Sequence, residues 1–187
     1  MNKIFTSLIT TTLLTSTSAI AAAPVMFSTL DNYNAPKDNS VTGVRLAVLH
    51  GHVDELKGLD LALLGMSETN STVGVNLNLV FGANKVNQSM KGASFGLFNW
   101  NTGETVGLNF GGINVTNDVK GVNASFVNYS TGDSMVDLGL VSLSEASTVQ
   151  VGIFNNTEKI KGVQLGLINC ASNGFVRCFP LFNFSVN

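Results

Sequence analysis

Charged residues are scarce in this chain, and their scarcity excludes several classes of function. Asp, Glu, Lys and Arg make up 12% of its 187 residues, about half of the roughly 25% usual in soluble domains. A formal net charge of -2 gives no basic face, so we predict no nucleic-acid partner. Because the mean hydropathy is positive, the strands must be buried on both faces, assemble with other chains or contact lipid. These features argue against a freely soluble monomeric enzyme.

Residues that usually carry catalysis are also few. The chain has two His residues, both in the segment HGHVDE at 50–55. His50, His52 and Asp54 alternate along this segment and would share one face of an extended chain, which makes them weak candidates for a divalent-metal site. A solvated turn is the simpler interpretation, because no fourth ligand accompanies them. The sequence has no phosphate-binding loop and no dinucleotide fingerprint, so we predict no enzyme activity, no metal and no cofactor.

The N-terminus has the features of a secretory signal peptide. Lys3 precedes a moderately apolar stretch at 4–14, and Ala19-Ile20-Ala21 provides a cleavage site of the A-x-A type before Ala22. Cleavage before Pro24 is an alternative. The apolar stretch is too short and too rich in Thr to cross a membrane as a helix. We predict a signal peptide at 1–21 and export of the mature chain.

Two cysteines close a nine-residue segment, CASNGFVRC, near the C-terminus. Since an exported chain can keep a disulfide, we predict a bond between Cys170 and Cys178; two free thiols are the alternative. A loop of this size contributes only about 2–3 kcal/mol to stability. The bond would therefore fasten the last units without determining the fold.

An eight-residue phrase, clearest in GVQLGLIN at 162–169, recurs throughout residues 43–187, which we assign to a single β-repeat domain. Residues 22–42 before it are polar and irregular and form a predicted leader segment. The ten copies begin 13 to 18 residues apart, most often 14. They lie at 43–50, 58–65, 74–81, 92–99, 107–114, 121–128, 135–142, 148–155, 162–169 and 176–183. Such a period is typical of repeat architectures.

The composition of each place in the phrase predicts β-strands. Places four and seven are apolar in all ten copies and places two and six in nine, while place three is polar in nine and place eight is Asn in six. Alternation at two, four and six is the pattern of a strand with one buried face. We therefore predict an all-β fold with these apolar side chains in the core. The predicted core residues at place four are Leu46, Leu61, Leu77, Phe95, Phe110, Leu138, Val151 and Leu165.

The polar third place predicts a ladder of amide side chains on the outer surface of the sheet, each bonded to the next strand. Its members are Asn109, Asn123, Gln150 and Gln164. Asp60 and Asp137 occupy the same place, and we interpret them as ladder substitutions rather than a carboxylate pair. On this assignment Leu165→Asp would destroy the fold, whereas Gln164→Lys would be nearly harmless.

The arrangement of the strands has two leading alternatives. In a β-solenoid the repeats stack as coils, but a straight eight-residue strand spans roughly 23 Å, too far for six residues to return. Either the strand bends at place five, or two strands form one coil of about 29 residues, which a weak two-unit rhythm favours. The other alternative is a ten-stranded antiparallel β-barrel of the outer-membrane type, although its apolar band would be shorter than the usual ~25 Å. A soluble ligand-holding barrel is a third arrangement. We favour the solenoid.

GVQLGLIN and the closing NGFVRCFPLFNF resemble exported repeat proteins of Gram-negative bacteria, whose units spell Gly-aliphatic-Gln-aliphatic-Gly-aliphatic-Ile-Asn. The resemblance covers residues 43–184 and is weaker in the first three units. Those proteins are described as surface or envelope repeat proteins without an assigned activity. The resemblance implies a location in the cell envelope, at the outer membrane or cell surface. It also implies a structural or interaction role, through self-association or contact with outer-membrane lipid or protein. A small integral outer-membrane barrel with a narrow pore or ligand site is the alternative.

Overall fold

Parallel pairing between successive repeats determines the fold. In the computed structural model, which describes residues 22–30 and 33–186, Gly43 pairs with Gly58 and Gly58 pairs with Gly74. Each repeat is therefore one coil of a β-solenoid, and the strand bends within the repeat. The predicted solenoid is confirmed. The antiparallel barrel and the coil of two strands were wrong, because neighbouring strands run parallel and lie one repeat apart.

Seven strands form one sheet that winds around the solenoid axis in the order β2-β1-β3-β4-β5-β6-β7. They are β1 (Ala23–Ser28), β2 (Asn34–Ala35), β3 (Ser40–Ala47), β4 (His50–Ala62), β5 (Met66–Asn78), β6 (Ala83–Ala171) and β7 (Cys178–Phe184). The very long β6 passes through several successive coils without interruption. No α-helix occurs within residues 22–30 and 33–186. The predicted signal peptide at 1–21 lies outside the described residues.

Both ends of the solenoid differ from the repeat. The segment 22–42 was predicted to be irregular, yet it supplies β1, which pairs parallel with β3, and β2, which pairs antiparallel with β1. At the other end, β7 runs antiparallel to the last part of β6, with Asn183 opposite Gln164. The tenth unit therefore turns back over the ninth and forms a C-terminal cap, rather than adding another parallel coil.

Burial reverses the predicted faces of the strands. Place three is buried in all nine stacked units, so the Asn and Gln residues predicted on the outer surface lie inside. The side chains predicted to form the core lie outside. Of these, Leu46, Leu61, Leu77 and Phe95 are half-buried, and Phe110, Leu138, Val151 and Leu165 are 38–56% exposed.

The width of a one-repeat coil explains this reversal. Counting the spacer after the phrase as places nine to fourteen, only places three, eight, ten and thirteen are buried in the fifth unit; they are Asn109, Asn114, Thr116 and Val119. Four inward places leave no room for the six or so large apolar side chains of each repeat. The narrow interior takes small polar residues instead, and the apolar residues are left outside.

Amide side chains suit such an interior because equivalent residues of adjacent coils lie about 4.8 Å apart along the axis. At this spacing each amide can bond to its equivalent in the next coil. Asn109 Nδ2 donates to Asn123 Oδ1 at 2.8 Å, and Gln164 Nε2 donates to Gln150 Oε1 at 2.7 Å. The predicted ladder thus exists, but it runs through the interior.

Glycine at place one lets the coils approach closely. From Gly43 to Gly121 these residues have φ between +135° and +154°, a region that side-chain-bearing residues rarely adopt. A Cβ added to Gly107 would lie 1.9 Å from the carbonyl oxygen of Gly92 in the preceding coil. A larger residue at this place would push the coils apart, which accounts for the glycine that opens most units.

Because the buried and exposed faces are the reverse of those predicted, the expected effects of substituting Gln164 and Leu165 on stability are also reversed. Gln164 is fully buried and bonded to Gln150 and to the carbonyl oxygen of Cys170, so Gln164→Lys places an unpaired charge inside. We expect it to lower the free energy of unfolding by about 3 kcal/mol or more. Leu165 is 44% exposed, and Leu165→Asp should lower it by less than about 1 kcal/mol. Urea denaturation of both variants provides the measurement, and the opposite ranking would show that the faces are misassigned.

Candidate interaction surface

The apolar side chains of the repeats form a continuous outer surface. We define the apolar ridge as places two, four, six and seven of the nine stacked units between residues 43 and 169. Its most exposed members include Phe126 (66%), Leu167 (61%) and Phe110 (56%). The ridge extends along the whole stack because every unit repeats the same places. It is the main exposed apolar surface of the described residues.

A bend in each coil makes the ridge convex. In a straight strand, inward and outward residues alternate, yet places four to seven of the ninth unit all avoid the interior before Asn169 at place eight is buried again. The chain therefore turns a corner here. Asn at place eight supports the corner from inside: Asn128 Nδ2 donates to the carbonyl oxygen of Leu138 at 2.9 Å, and Asn155 Nδ2 to that of Leu165 at 3.0 Å.

Charge is excluded from the ridge. Within places one to eight of the nine stacked units, the sequence has charged residues only at Arg45, Asp60 and Asp137, and all three are at most 1% exposed. The exposed charges of these nine units lie in the spacers. There they form ion pairs such as Glu104 with Lys120. The outside of the solenoid is thus divided into the apolar ridge and a polar side.

Two kinds of residue border the ridge. At place nine, directly after the eight-residue phrase, two of the nine units have Trp100 and Tyr129, which are 37% and 45% exposed. On the other border, exposed lysines precede place one in four units; they are Lys57, Lys91, Lys120 and Lys161. Aromatic rings with a polar edge and long cationic side chains are both suited to a boundary between apolar and aqueous surroundings.

A groove crosses the ridge near its middle. It has a volume of about 570 Å³, and its floor includes the backbone of Gly96, Gly111 and Gly112. Its walls include Leu77, Leu79, Phe95, Leu97, Phe110 and Phe126. Apart from Asn78 the lining is apolar, so the groove adds apolar contact area but no ionisable or nucleophilic side chain.

The buried Asn residues at place eight form ladders in which each amide donates a hydrogen bond to the equivalent residue of the next coil. Asn99 donates to Asn114, and Asn114 donates to Asn128. Ser142 stands at place eight of the next unit, where its hydroxyl has no hydrogen-bond partner among the described residues. A second run begins at Asn155, whose Oδ1 also lacks a partner in the described part of the chain. A shorter side chain at one place thus interrupts the ladder.

Asp60 lies in a buried ion pair. Arg45, at place three of the preceding coil, donates from Nε and Nη2 to the two carboxylate oxygens of Asp60, both at 2.9 Å. Ser67 contacts both residues. Removing one member would leave the other charge buried without a partner, which is strongly destabilising. This pair and the apolar cluster of Ala23, Met26, Val41, Val53 and Leu56 fill the N-terminal coils.

Asp137 occupies the same interior column without a cation. Its carboxylate accepts hydrogen bonds from Ser134 at 2.7 Å and from Asn123 and Ser147 at 3.2 Å. Burial raises the pKa of Asp137 above its ordinary value of 3.8, against the opposing effect of these bonds. Asp60 and Asp137 are members of the ladder column, with four coils between them, and so do not form a carboxylate pair.

The predicted metal-site candidates do not converge. His50 Nε2 lies 3.7 Å from Glu68 Oε2, whereas His52 Nε2 lies 3.6 Å from Asp54 Oδ1. Each imidazole therefore faces a different carboxylate. Within residues 22–30 and 33–186, no group of three or more His, Cys, Asp or Glu residues is placed to hold a metal ion.

The C-terminal cap is joined to the last coil covalently. Cys170 and Cys178 form the predicted disulfide, and they are opposite each other in the antiparallel pairing of β6 and β7. In the same register Phe182 lies opposite Leu165, and Phe184 opposite Val163. The aromatic side chains of the cap thus continue the apolar ridge beyond the ninth unit.

One motif escaped the sequence reasoning. Residues 92–96, GASFG, match the G-x-S-x-G pattern of serine hydrolases. That motif requires a strand-to-helix turn that exposes the serine, but Ser94 lies within β6 and is fully buried at place three. Its position at place three of the fourth copy of the phrase, between Asn76 and Asn109, is visible in the sequence and identifies it as part of the interior column.

Comparison with protein-family models, with curated proteins and with solved structures found no match for this chain. Within residues 22–30 and 33–186, no helix is long and apolar enough to cross a membrane. The geometry of the described residues therefore has to indicate what the chain can do. Its main features are the apolar ridge, the polar interior and the capped ends.

Asp137 gives stability a pH dependence that Asp137→Asn should remove. Because the pKa of Asp137 is raised on folding, the native state binds this proton more tightly than the unfolded state does. The resulting gain in the free energy of unfolding is complete below about pH 3.8 and disappears as the pH rises through the raised pKa. At neutral pH we expect Asp137→Asn to raise the free energy of unfolding by roughly 1 kcal/mol. Urea denaturation across pH 3–8 measures this. Glu145→Gln, an exposed change in the same unit, is the control, and equal responses would contradict the assignment.

Ser142→Asn should join the two interrupted amide ladders. The new Nδ2 can donate to Asn155 Oδ1, which lacks a partner, and Asn fits the same place in neighbouring coils. We expect the free energy of unfolding to rise by about 1 kcal/mol. Ser142→Leu has a similar shape without the amide, so it leaves Asn155 Oδ1 unpaired as it already is and should not give this gain. If both variants shifted the unfolding midpoint equally, the gain would reflect volume and not hydrogen bonding.

Proposed function

We propose that this chain is a non-catalytic, exported β-repeat protein of the bacterial cell envelope, with a structural or interaction role. The apolar ridge is the observation that carries the proposal. Nine coils at about 4.8 Å spacing make it roughly 40 Å long, far more extended than the isolated apolar patches of soluble monomers. A patch of this size is typical of a surface that a partner covers.

The capped ends support lateral rather than end-to-end interaction. An open solenoid end presents unpaired backbone groups that could add another chain. Here β2 pairs antiparallel with β1 at one end, and β7 lies antiparallel across the other. β7 also contains Pro180, which has no N–H to donate. The sides of the solenoid, and above all the ridge, are left as the contact surface.

Export is supported by two independent features of the chain. The N-terminal sequence has the n-region, apolar stretch and A-x-A site of a signal peptide. The disulfide between Cys170 and Cys178 is of the kind that persists in oxidising compartments such as the periplasm or cell surface. The resemblance of the repeats to envelope proteins of Gram-negative bacteria agrees with this location.

Processing and labelling in intact bacteria test the proposal. We expect mass spectrometry of the expressed protein to show an N-terminus at Ala22 in the envelope fraction. A thiol introduced by Leu167→Cys, on the ridge, should react slowly with a water-soluble maleimide because a partner covers it. Glu158→Cys, exposed on the polar side, is the matched control and should react fast. After extraction and unfolding, both thiols should react equally.

Two results would overturn the proposed function. One is an unprocessed protein that stays in the cytoplasm. The other is a thiol at position 167 that reacts in the envelope as fast as the thiol at position 158. The first outcome would contradict the proposed export to the envelope. The second would contradict the proposed interaction role, whatever the identity of the partner.

A further inference from the structure

The convex shape of the ridge restricts what can cover it. One side of the ridge carries places two and four, the other carries places six and seven, and the corner between them is supported by the buried Asn at place eight. A second copy related by a two-fold axis presents one surface to one surface, so it would cover one side and leave the other in water. Fluid acyl chains can cover both sides of a convex edge at once.

The distribution of charge agrees with a lipid partner. In a typical protein–protein interface the rim is polar, and so is part of the contact area. The ridge has no exposed Asp, Glu, Lys or Arg in nine consecutive units, and the cap extends it with Phe182 and Phe184. The charged spacers all lie on the polar side of the solenoid. This division resembles the two faces of proteins that lie in the membrane interface.

The borders of the ridge have the residues that a bilayer interface favours. Trp100 and Tyr129 stand at place nine on one border, where their rings can sit at the level of lipid headgroups. On the other border, Lys91 is exposed and can extend its amine to the headgroups while its stem stays in apolar surroundings.

The dimensions also fit. Each side of the ridge spans about three residues, or roughly 10 Å of extended chain. Interfacial elements bury their apolar faces about 5–10 Å into the boundary of headgroups and acyl chains. A ridge of this height lies in one leaflet and does not cross the bilayer.

We propose that the apolar ridge inserts into one leaflet of a phospholipid membrane, with the solenoid axis parallel to the membrane plane and the polar side in water. This inference rests on the proposed function, whose interaction role it makes specific. The membrane covers the surface that the narrow polar interior leaves outside.

Vesicle flotation tests the insertion directly. The processed protein, purified from the envelope of expressing cells, should float with vesicles of phosphatidylethanolamine and phosphatidylglycerol, and high salt should release little of it because the attraction is apolar. Phe126→Asp combined with Leu167→Asp should weaken partitioning at least roughly tenfold. Thr131→Asp combined with Ser172→Asp adds the same charge at exposed positions of the polar side and should bind like the unchanged protein. Circular dichroism and urea midpoints verify that both variants fold.

Trp100 provides a second measurement that needs no substitution, since it is the only Trp in the chain. Its fluorescence should shift to shorter wavelength when vesicles are added, and lipids with a shallow quencher should quench it more than lipids with a deep one. A spectrum that vesicles leave unchanged would contradict its place at the border.

Other outcomes separate this inference from the proposed function. If the processed protein does not float, but light scattering shows an oligomer that the ridge variant cannot form, a second copy covers the ridge and the lipid proposal is wrong. If it neither floats nor associates, lipid is again excluded, and a protected thiol at position 167 in cells would then indicate a different envelope protein. Neither result affects the export and coverage tested above.

Discussion

The winding of one repeat into one coil is the constraint on which the rest of the structure depends. It places equivalent residues about 4.8 Å apart along the axis and leaves only about four inward places in each turn. At this spacing amides and hydroxyls satisfy one another, as Asn109 and Asn123 do, whereas a set of Leu and Phe side chains would not fit. A polar interior and an apolar exterior are therefore consequences of coil width.

Much of the fold follows from patterns that can be read in the sequence. The all-β class, the solenoid, the bonding between successive amides and the disulfide were predicted correctly. The ten separate strands were not, because β6 runs through the predicted turns from Ala83 to Ala171. Which face of the strand is buried was predicted wrongly. Period-two alternation shows that two faces differ, but it does not show which one is inside; the usual rule that apolar residues are buried placed Leu165 in the core. That rule assumes a lumen wide enough for such side chains.

Other features depend on end effects that a repeat pattern does not contain. The final unit keeps the apolar places four, six and seven and the Asn at place eight, so its pattern predicts another parallel coil. The nine-residue loop closed by Cys170 and Cys178 instead turns β7 back on β6. The first strand, Ala23–Ser28, has no glycine and little of the phrase, and it joins the sheet because β3 offers an open edge. Pairing partners, rather than local sequence, decide both cases.

A solenoid supported by internal hydrogen bonds has a functional consequence. In most soluble domains the large apolar residues are buried in the core, so few of them are available to contact a partner. Here the amide ladders and the close approach at the place-one glycines hold the coils together, and the apolar side chains of every unit stay available. Each added unit lengthens the ridge without changing its cross-section. A repeat of this kind is thus suited to covering a long, uniform apolar surface, and the fluid interior of a membrane leaflet is the surface whose shape and chemistry it matches best.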